Sequence, residues 1–184
     1  TNGVVLLTNR NPNLPVGGGG GRFGHSIAAI GGGRYAVGAP GNDAVTAVST
    51  NPSAGDVYLY DANGSLLRRI PNPEPGYLFG SSIKSLGSNR FAVWLPIGGR
   101  PLVVGPPTFP GKVFVFDNDG NLLLRLDRVE SANDSWYGNS LATIGDDTLV
   151  VGARGAGDRG RVYLYDTKLP EYILGREIPL PAGV

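Results

Sequence analysis

Apolar and polar residues alternate in short runs along this chain, and three of the runs are copies of one another. Val57, Tyr58, Leu59 and Tyr60 alternate aliphatic with aromatic, the period-2 signature of a strand. The alternation returns at Val113, Phe114, Val115 and Phe116, and again at Val162, Tyr163, Leu164 and Tyr165. Residues 55–70 (GDVYLYDANGSLLRRI) and 111–126 (GKVFVFDNDGNLLLRL) continue through Asn63-Gly64 or Asp119-Gly120 into a second apolar run, and residues 160–178 repeat the scheme loosely. Each copy predicts a β-hairpin. The Asn-Gly and Asp-Gly pairs suit a type I′ turn, which needs positive φ at both central residues.

Upstream of each hairpin lies a second repeated pattern. Phe23-Gly24-His25-Ser26-Ile27 matches Phe79-Gly80-Ser81-Ser82-Ile83 and Tyr137-Gly138-Asn139-Ser140-Leu141. After a short turn comes another strand-like run: Tyr35-Ala36-Val37-Gly38, Phe91-Ala92-Val93-Trp94 and Leu149-Val150-Val151-Gly152. Each unit therefore predicts four consecutive strands, at 26–30, 35–37, 57–60 and 66–70 in the first. Four-stranded antiparallel units recurring every ~40–60 residues are the sequence sign of propeller blades. The third strand adds a physical reason. An antiparallel sheet with one wet face would place polar residues in one of its two alternating sets. Here Val57, Leu59, Val113, Val115, Val162 and Leu164 form one set, and Tyr58, Tyr60, Phe114, Phe116, Tyr163 and Tyr165 the other. Both faces need cover, and sheets stacked aromatic side on aliphatic side supply it. The expected fold is all-β: a β-propeller of four-stranded antiparallel blades at 22–73, 79–127 and 137–179, with one extra N-terminal strand at 1–12, in a single domain.

Composition narrows the function more than the fold. The chain has 184 residues, 30 Gly and 15 Pro, and only 17% are charged, which fits short strands and tight turns. Its formal charge is +1 without a basic stripe, so no nucleic-acid partner is expected. No apolar run approaches the ~18 residues of a membrane-spanning helix, so no membrane insertion is expected. Cysteine is absent, which removes disulfides and thiolate ligands. The first residue is threonine, from which a processed product, an excised fragment or an engineered piece is expected.

With its Phe-Gly steps and the Gly38-Ala39-Pro40 triplet, the repeat resembles the FG-GAP β-propellers of integrin α-subunit heads and of many bacterial secreted proteins. The second repeat carries Phe79-Gly80 with Trp94-Leu95-Pro96, and the third Tyr137-Gly138 with Gly152-Ala153-Arg154. The resemblance covers nearly all of residues 22–178. It implies an extracellular, secreted or cell-surface setting and a role in adhesion or assembly. Many blades of the family hold calcium in an Asp-rich loop between the first and second strands. Here those loops are short turns, and only Asp146-Asp147 is acidic. A calcium site needs about six or more oxygen ligands, so no metal and no cofactor is expected. Asp117-Asn118-Asp119-Gly120 resembles the opening of an EF-hand loop, but without a downstream glutamate it reads as a hairpin turn.

Propellers ordinarily have about four to eight blades, and three are visible. Asn2-Gly3-Val4-Val5-Leu6-Leu7 aligns with Asn63-Gly64-Ser65-Leu66-Leu67, and Asn11-Pro12 with Asn72-Pro73, so the N-terminus reads as a fourth strand without its hairpin partner. It either closes another blade or continues from a longer array, and it competes with residues 172–178 for the outer edge of the third. Three stacked blades would expose an aromatic face at one end and an aliphatic face at the other. Burying one such face is worth on the order of 10 kcal/mol before association costs. A homo-oligomer is therefore expected, closing head-to-tail into a ring or growing into a larger assembly, or else the remainder of a longer propeller.

Candidate chemistry is sparse. His25 is the lone histidine, and its equivalents are Ser81 and Asn139, which reads as a polar junction rather than a general base. No Gly-x-Ser-x-Gly elbow surrounds a serine. Asp61, Asp117 and Asp166 recur before the hairpin turns, where aspartates bond turn amides; carboxylate-pair chemistry would need them side by side. The glycine run 17–21 precedes a strand, so it reads as a connector and not a phosphate loop. Residues 94–111 (WLPIGGRPLVVGPPTFPG) replace the Gly-Ala-Pro loop with an apolar, proline-rich one. Either Trp94, Leu95, Ile97, Arg100, Leu102, Val103 and Phe109 form a contact surface, or the loop folds over its own blade or plugs the ring. Val4 and Leu6 join the expected contacts. Trp136 is a candidate for stacking on a sugar, which is the alternative, lectin-like reading. Asn63-Gly64-Ser65 and Asn133-Asp134-Ser135 fit the glycosylation pattern. The expected function is a non-catalytic binding module, with protein or glycan ligands.

Overall fold

The structure is a computed structural model that describes residues 3–13, 21–42, 44–46, 49–51, 53–96, 111–127, 134–156, 159–168 and 176–177. All regular elements among them are β-strands. The first sheet begins with β1 (Ser26–Gly31) and β2 (Arg34–Ala39). A separate two-stranded ribbon, β3 (Ala44–Thr46) with β4 (Ser49–Asn51), interrupts it before β5 (Asp56–Asp61) and β6 (Leu66–Pro71) complete it. The second sheet takes β7 (Ser82–Leu86), β8 (Arg90–Pro96), β9 (Gly111–Asp117) and β10 (Leu122–Asp127). The third takes β11 (Asp134–Ile144), β12 (Thr148–Ala156), β13 (Arg161–Asp166) and β14 (Arg176–Glu177). Each sheet is an antiparallel meander of four strands in sequence order, set aside the ribbon.

The three sheets share one register. Arg34 pairs with Asp61, Arg90 with Asp117 and Thr148 with Asp166; one step on, Tyr35 faces Tyr60, Phe91 faces Phe116 and Leu149 faces Tyr165. The aromatic clusters repeat with it. Phe23 meets Tyr58 and Tyr60 edge-on at centroid distances of 5.8 and 6.2 Å, and Phe79 meets Phe114 and Phe116 at 6.0 and 6.3 Å. Tyr35 stacks on Tyr60 at 5.4 Å and Phe91 on Phe116 at 5.5 Å. The aromatic residue of the Phe-Gly step thus folds back over its own third strand.

Stacking pairs unlike faces. Val57, Leu59, Ala36, Ile30 and Ile70 of the first sheet pack against Phe79, Phe91, Phe114, Phe116 and Leu95 of the second. Val113, Val115, Ala92, Leu86 and Trp94, on the other side of the second sheet, pack against Tyr137, Tyr163, Tyr165, Leu149 and Val151 of the third. The strand alternation demanded this: with both side-chain sets apolar, only a sheet on each side removes them from water.

Three local expectations are corrected. The Asn63-Gly64 and Asp119-Gly120 turns are not type I′. Only Gly64 (φ 78°) and Gly120 (φ 81°) have positive φ. The Gly64 N–H donates to the Asp61 carbonyl at 3.0 Å and the Asp61 N–H to the Ser65 carbonyl at 3.1 Å, which makes a type I turn followed by a left-handed glycine. The cause is Asp61, whose Oδ1 accepts from the Asn63 and Ser65 N–H groups at 2.9 and 2.8 Å. Asp117 does the same for Asp119 and Asn121, at 3.0 and 2.8 Å. The N-terminal strand is also absent: residues 3–11 join no ladder, and Val4 and Leu6 are 79% and 94% exposed. Finally, the aromatic face at the first sheet's outer side is largely covered: Tyr58 and Tyr60 are buried, while Ile27 on the same face is exposed.

Candidate functional site

The features that could engage a partner are the two outer faces of the stack, and the inner junctions show what a complete contact looks like. At the first junction Arg34 Nη1 donates to the Asn118 carbonyl at 3.1 Å and to Asp119 Oδ1 at 2.6 Å. At the second, Arg90 Nη1 donates to the Thr167 carbonyl at 2.9 Å and to its Oγ1 at 3.0 Å, while Nη2 donates to the Asp146 carbonyl at 2.9 Å and to Asp147 Oδ1 at 2.7 Å. The two arginines are equivalent by register. Each reaches across to the hairpin turns of the next sheet, so every inner junction joins an apolar contact to a charged clamp. Lys168, with Arg90 behind it, holds the Asp147 carboxyl below the ordinary carboxylate range.

On the outer side of the third sheet the clamp position is Thr148. The aliphatic set there is uncovered: Ile144 is 60% and Val162 40% exposed, and Val150 and Leu164 are half-buried. Their counterparts Ile30, Val57, Ala36 and Leu59 are buried, as are Leu86, Val113, Ala92 and Val115. The same pattern that forms a core twice is here presented to solvent.

The opposite outer face, on the first sheet, carries Phe23, Tyr35, Val37, Ala39, Tyr58 and Tyr60. An extended polar segment lies along it. Asn9 Nδ2 donates to the Gly64 carbonyl at 2.9 Å. Asn11 Nδ2 donates to Asn42 Oδ1 at 2.8 Å, and Asn42 Nδ2 to the Tyr58 hydroxyl at 2.8 Å. Asn13 Nδ2 reaches Asp56 Oδ2 at 3.5 Å. Asp56, Tyr58 and Tyr60 project from one face of β5, and the alternating Asn9, Asn11 and Asn13 run antiparallel to them. The buried Asp56 also accepts from Asn42 at 2.9 Å, from the Tyr58 hydroxyl at 3.1 Å and from Arg69 Nε at 3.0 Å. Burial, reinforced by the Asp56 charge, pushes the Tyr58 phenol well above its ordinary range. Sequence reasoning missed this comb; the period-2 asparagines of residues 9–13 were its signal.

The expected contact residues fare differently. Trp94, 6% exposed, and Leu95 are core, which corrects their reading as surface contacts. Trp94 faces the third sheet, and its indole N–H donates to the Tyr137 carbonyl at 2.7 Å. It occupies the register position of Gly38 and Gly152, and a Cβ at Gly111 or Gly138 would overlap its indole, so glycine is required at both. Leu95 faces the first sheet. Ile97, Arg100, Leu102, Val103 and Phe109 lie outside the described residues, as does Asn133. Trp136 is half-buried at φ 65°, with the Arg154 guanidinium 4.1 Å from its ring centroid. His25 sits exposed just before β1. Asp61 and Asp117 bond turn amides, and Asp166 Oδ1 accepts from the Lys168 N–H at 2.9 Å. Among the described residues no three His, Cys, Asp or Glu side chains gather as a metal site, and no helix is long and apolar enough to cross a membrane. No family model matches this chain, and no curated protein matches it.

Proposed function

We propose that this chain is a non-catalytic β-propeller module of the FG-GAP type, acting outside the cell in adhesion or self-assembly by stacking its outer sheet faces. One observation carries the reading: Ile144, Val150, Val162 and Leu164 repeat a set buried at both inner junctions, yet remain open. The partner that fits such a face is an aromatic sheet face of the same kind, and a second copy of the chain provides one. Two inner junctions already join these faces, so head-to-tail contact continues a pairing rule the molecule uses. The propeller assignment, the absence of catalysis and the extracellular setting rest on the repeat pattern and the FG-GAP resemblance. A carbohydrate-binding role would need free ring faces, whereas Trp94 is buried and Arg154 lies over Trp136. Sedimentation equilibrium tests the assembly reading. Concentration-dependent association that Ile144→Asp abolishes supports it; a monomer at every concentration, even with the aromatic face freed, overturns it.

A further inference from the structure

We infer that residues 9–13 form a displaceable cap, competing with the third sheet of a second copy for the aromatic face of the first sheet. The inference rests on the self-assembly reading above and adds its control. The contested face is built like its buried counterpart on the second sheet. Phe23, Tyr35, Tyr58 and Tyr60 reproduce the ring geometry of Phe79, Phe91, Phe114 and Phe116 to within 0.2 Å in three centroid distances. On the second sheet that constellation receives Val57, Leu59 and Ile30. On the first it meets asparagine side chains.

The cap is held by chemistry that releases easily. It joins no ladder, and side chains make its hydrogen bonds to the first sheet: Asn9 to Gly64, Asn11 to Asn42 and Asn13 to Asp56. Each intramolecular hydrogen bond only replaces one made to water and so contributes little net, and three such ties can be outcompeted by burial of an aliphatic sheet face. Cover is also incomplete. Ile27, on this same face, is exposed, whereas its equivalent Ile83 is buried against the first sheet.

The junction between copies would differ from those inside the chain. The clamp arginine is replaced by Thr148, and the carboxylates that would receive it, Asp119 and Asp147, correspond in the first sheet to Asn63 and Gly33. The inner junctions are thus locked by charge, while the outer pair offers apolar complementarity alone. Such a junction exchanges with a cap; a clamped one would not.

The experiment compares the full chain with the triple variant Asn9→Ala, Asn11→Ala, Asn13→Ala by sedimentation equilibrium, with hydrogen exchange reporting residues 3–13. Releasing the cap should raise exchange there and strengthen self-association on the order of tenfold. Ile144→Asp in the triple background should abolish it, and an added peptide of residues 3–13 should suppress it. A folded triple variant, as near-ultraviolet circular dichroism reports, that exchanges freely yet stays monomeric overturns both cap and self-assembly. Association of the full chain as strong as that of the variant, and equally sensitive to Ile144→Asp, overturns the cap alone. If the triple variant fails to fold, Asn9→Ala and the peptide competition provide the same test, and a peptide without effect overturns the cap.

Discussion

The aliphatic faces of the first and third sheets come from one repeated pattern and end in opposite environments. Ile30, Ala36, Val57 and Leu59 are sealed beneath the aromatic face of the second sheet; Ile144, Val150, Leu164 and Val162 face outward. Local sequence does not separate them, because both sets are aliphatic and both strands hold the same register. What differs is the neighbour. Arg34 accompanies the sealed face and reaches the next sheet, whereas Thr148 accompanies the open one. The molecule thus marks its permanent contacts with a charged clamp and leaves its remaining face without one.

The sharpest way to break this comparison is at the junction where a glycine position became tryptophan. Trp94→Ala removes the largest side chain there together with its hydrogen bond to the Tyr137 carbonyl, and should destabilise the chain by about 3–5 kcal/mol in urea unfolding. Trp94→Phe keeps most of the volume and should cost about 1–2 kcal/mol. Next comes the matched pair Ile30→Ala and Ile144→Ala. The buried site should lose about 2–5 kcal/mol and the open site under about 1 kcal/mol, measured by denaturant midpoint at low protein concentration. Equal losses would show that the third sheet's face is covered in solution.

The clamps allow a smaller comparison. Arg90→Ala gives up four hydrogen bonds and should cost about 1–3 kcal/mol, while the more exposed Arg34 should cost about 1 kcal/mol or less. Thr148→Arg, which among the described residues has no neighbouring sheet's turn to reach, should change monomer stability by less than about 0.5 kcal/mol. The smallest effect is that of pH. Lys168 and Arg90 depress Asp147; at Asp117 desolvation acts upward, but hydrogen bonds from Asn121, Asp119 and Gly120 outweigh it and the carboxyl is depressed. Folded values below the ordinary 3.8 mean that these groups stabilise the fold fully above it, and that the contribution is lost as pH falls through the lower, folded values. Urea midpoints should therefore hold near about pH 5 and fall toward about pH 2.5.

Much of this arrangement could be read from residue order. The twofold alternation at residues 57–60 and its copies announced strands with two dry faces, and the recurrence of Phe-Gly steps announced equivalent units. The aspartates before the hairpins announced their bonds to turn amides. The turn type was misjudged because Asn-Gly favours one geometry in isolation, while the Asp61 and Asp117 carboxylates stabilise another. Trp94 looked like surface because its neighbours are proline-rich and its equivalents are glycine. Only the position of the Tyr137 carbonyl, supplied by a different sheet, reveals why an indole fits there. The N-terminal segment looked like a strand from its apolar residues 4–7, yet residues 3–11 join no ladder and the segment's hydrogen bonds to the first sheet come from the asparagines at 9, 11 and 13.

Side-chain period, turn residues and repeat spacing act over a few neighbours, so the chain's own order settles which of the repeated segments are strands, how they pair within a sheet and which faces are apolar. Which of those faces is covered depends on groups far apart in sequence: Arg34 with Asp119, Trp94 with Tyr137, Asn11 with Asn42. Burial is a property of the neighbour as much as of the residue, and so two identical aliphatic patterns became a sealed core and an open face only when the sheets were stacked.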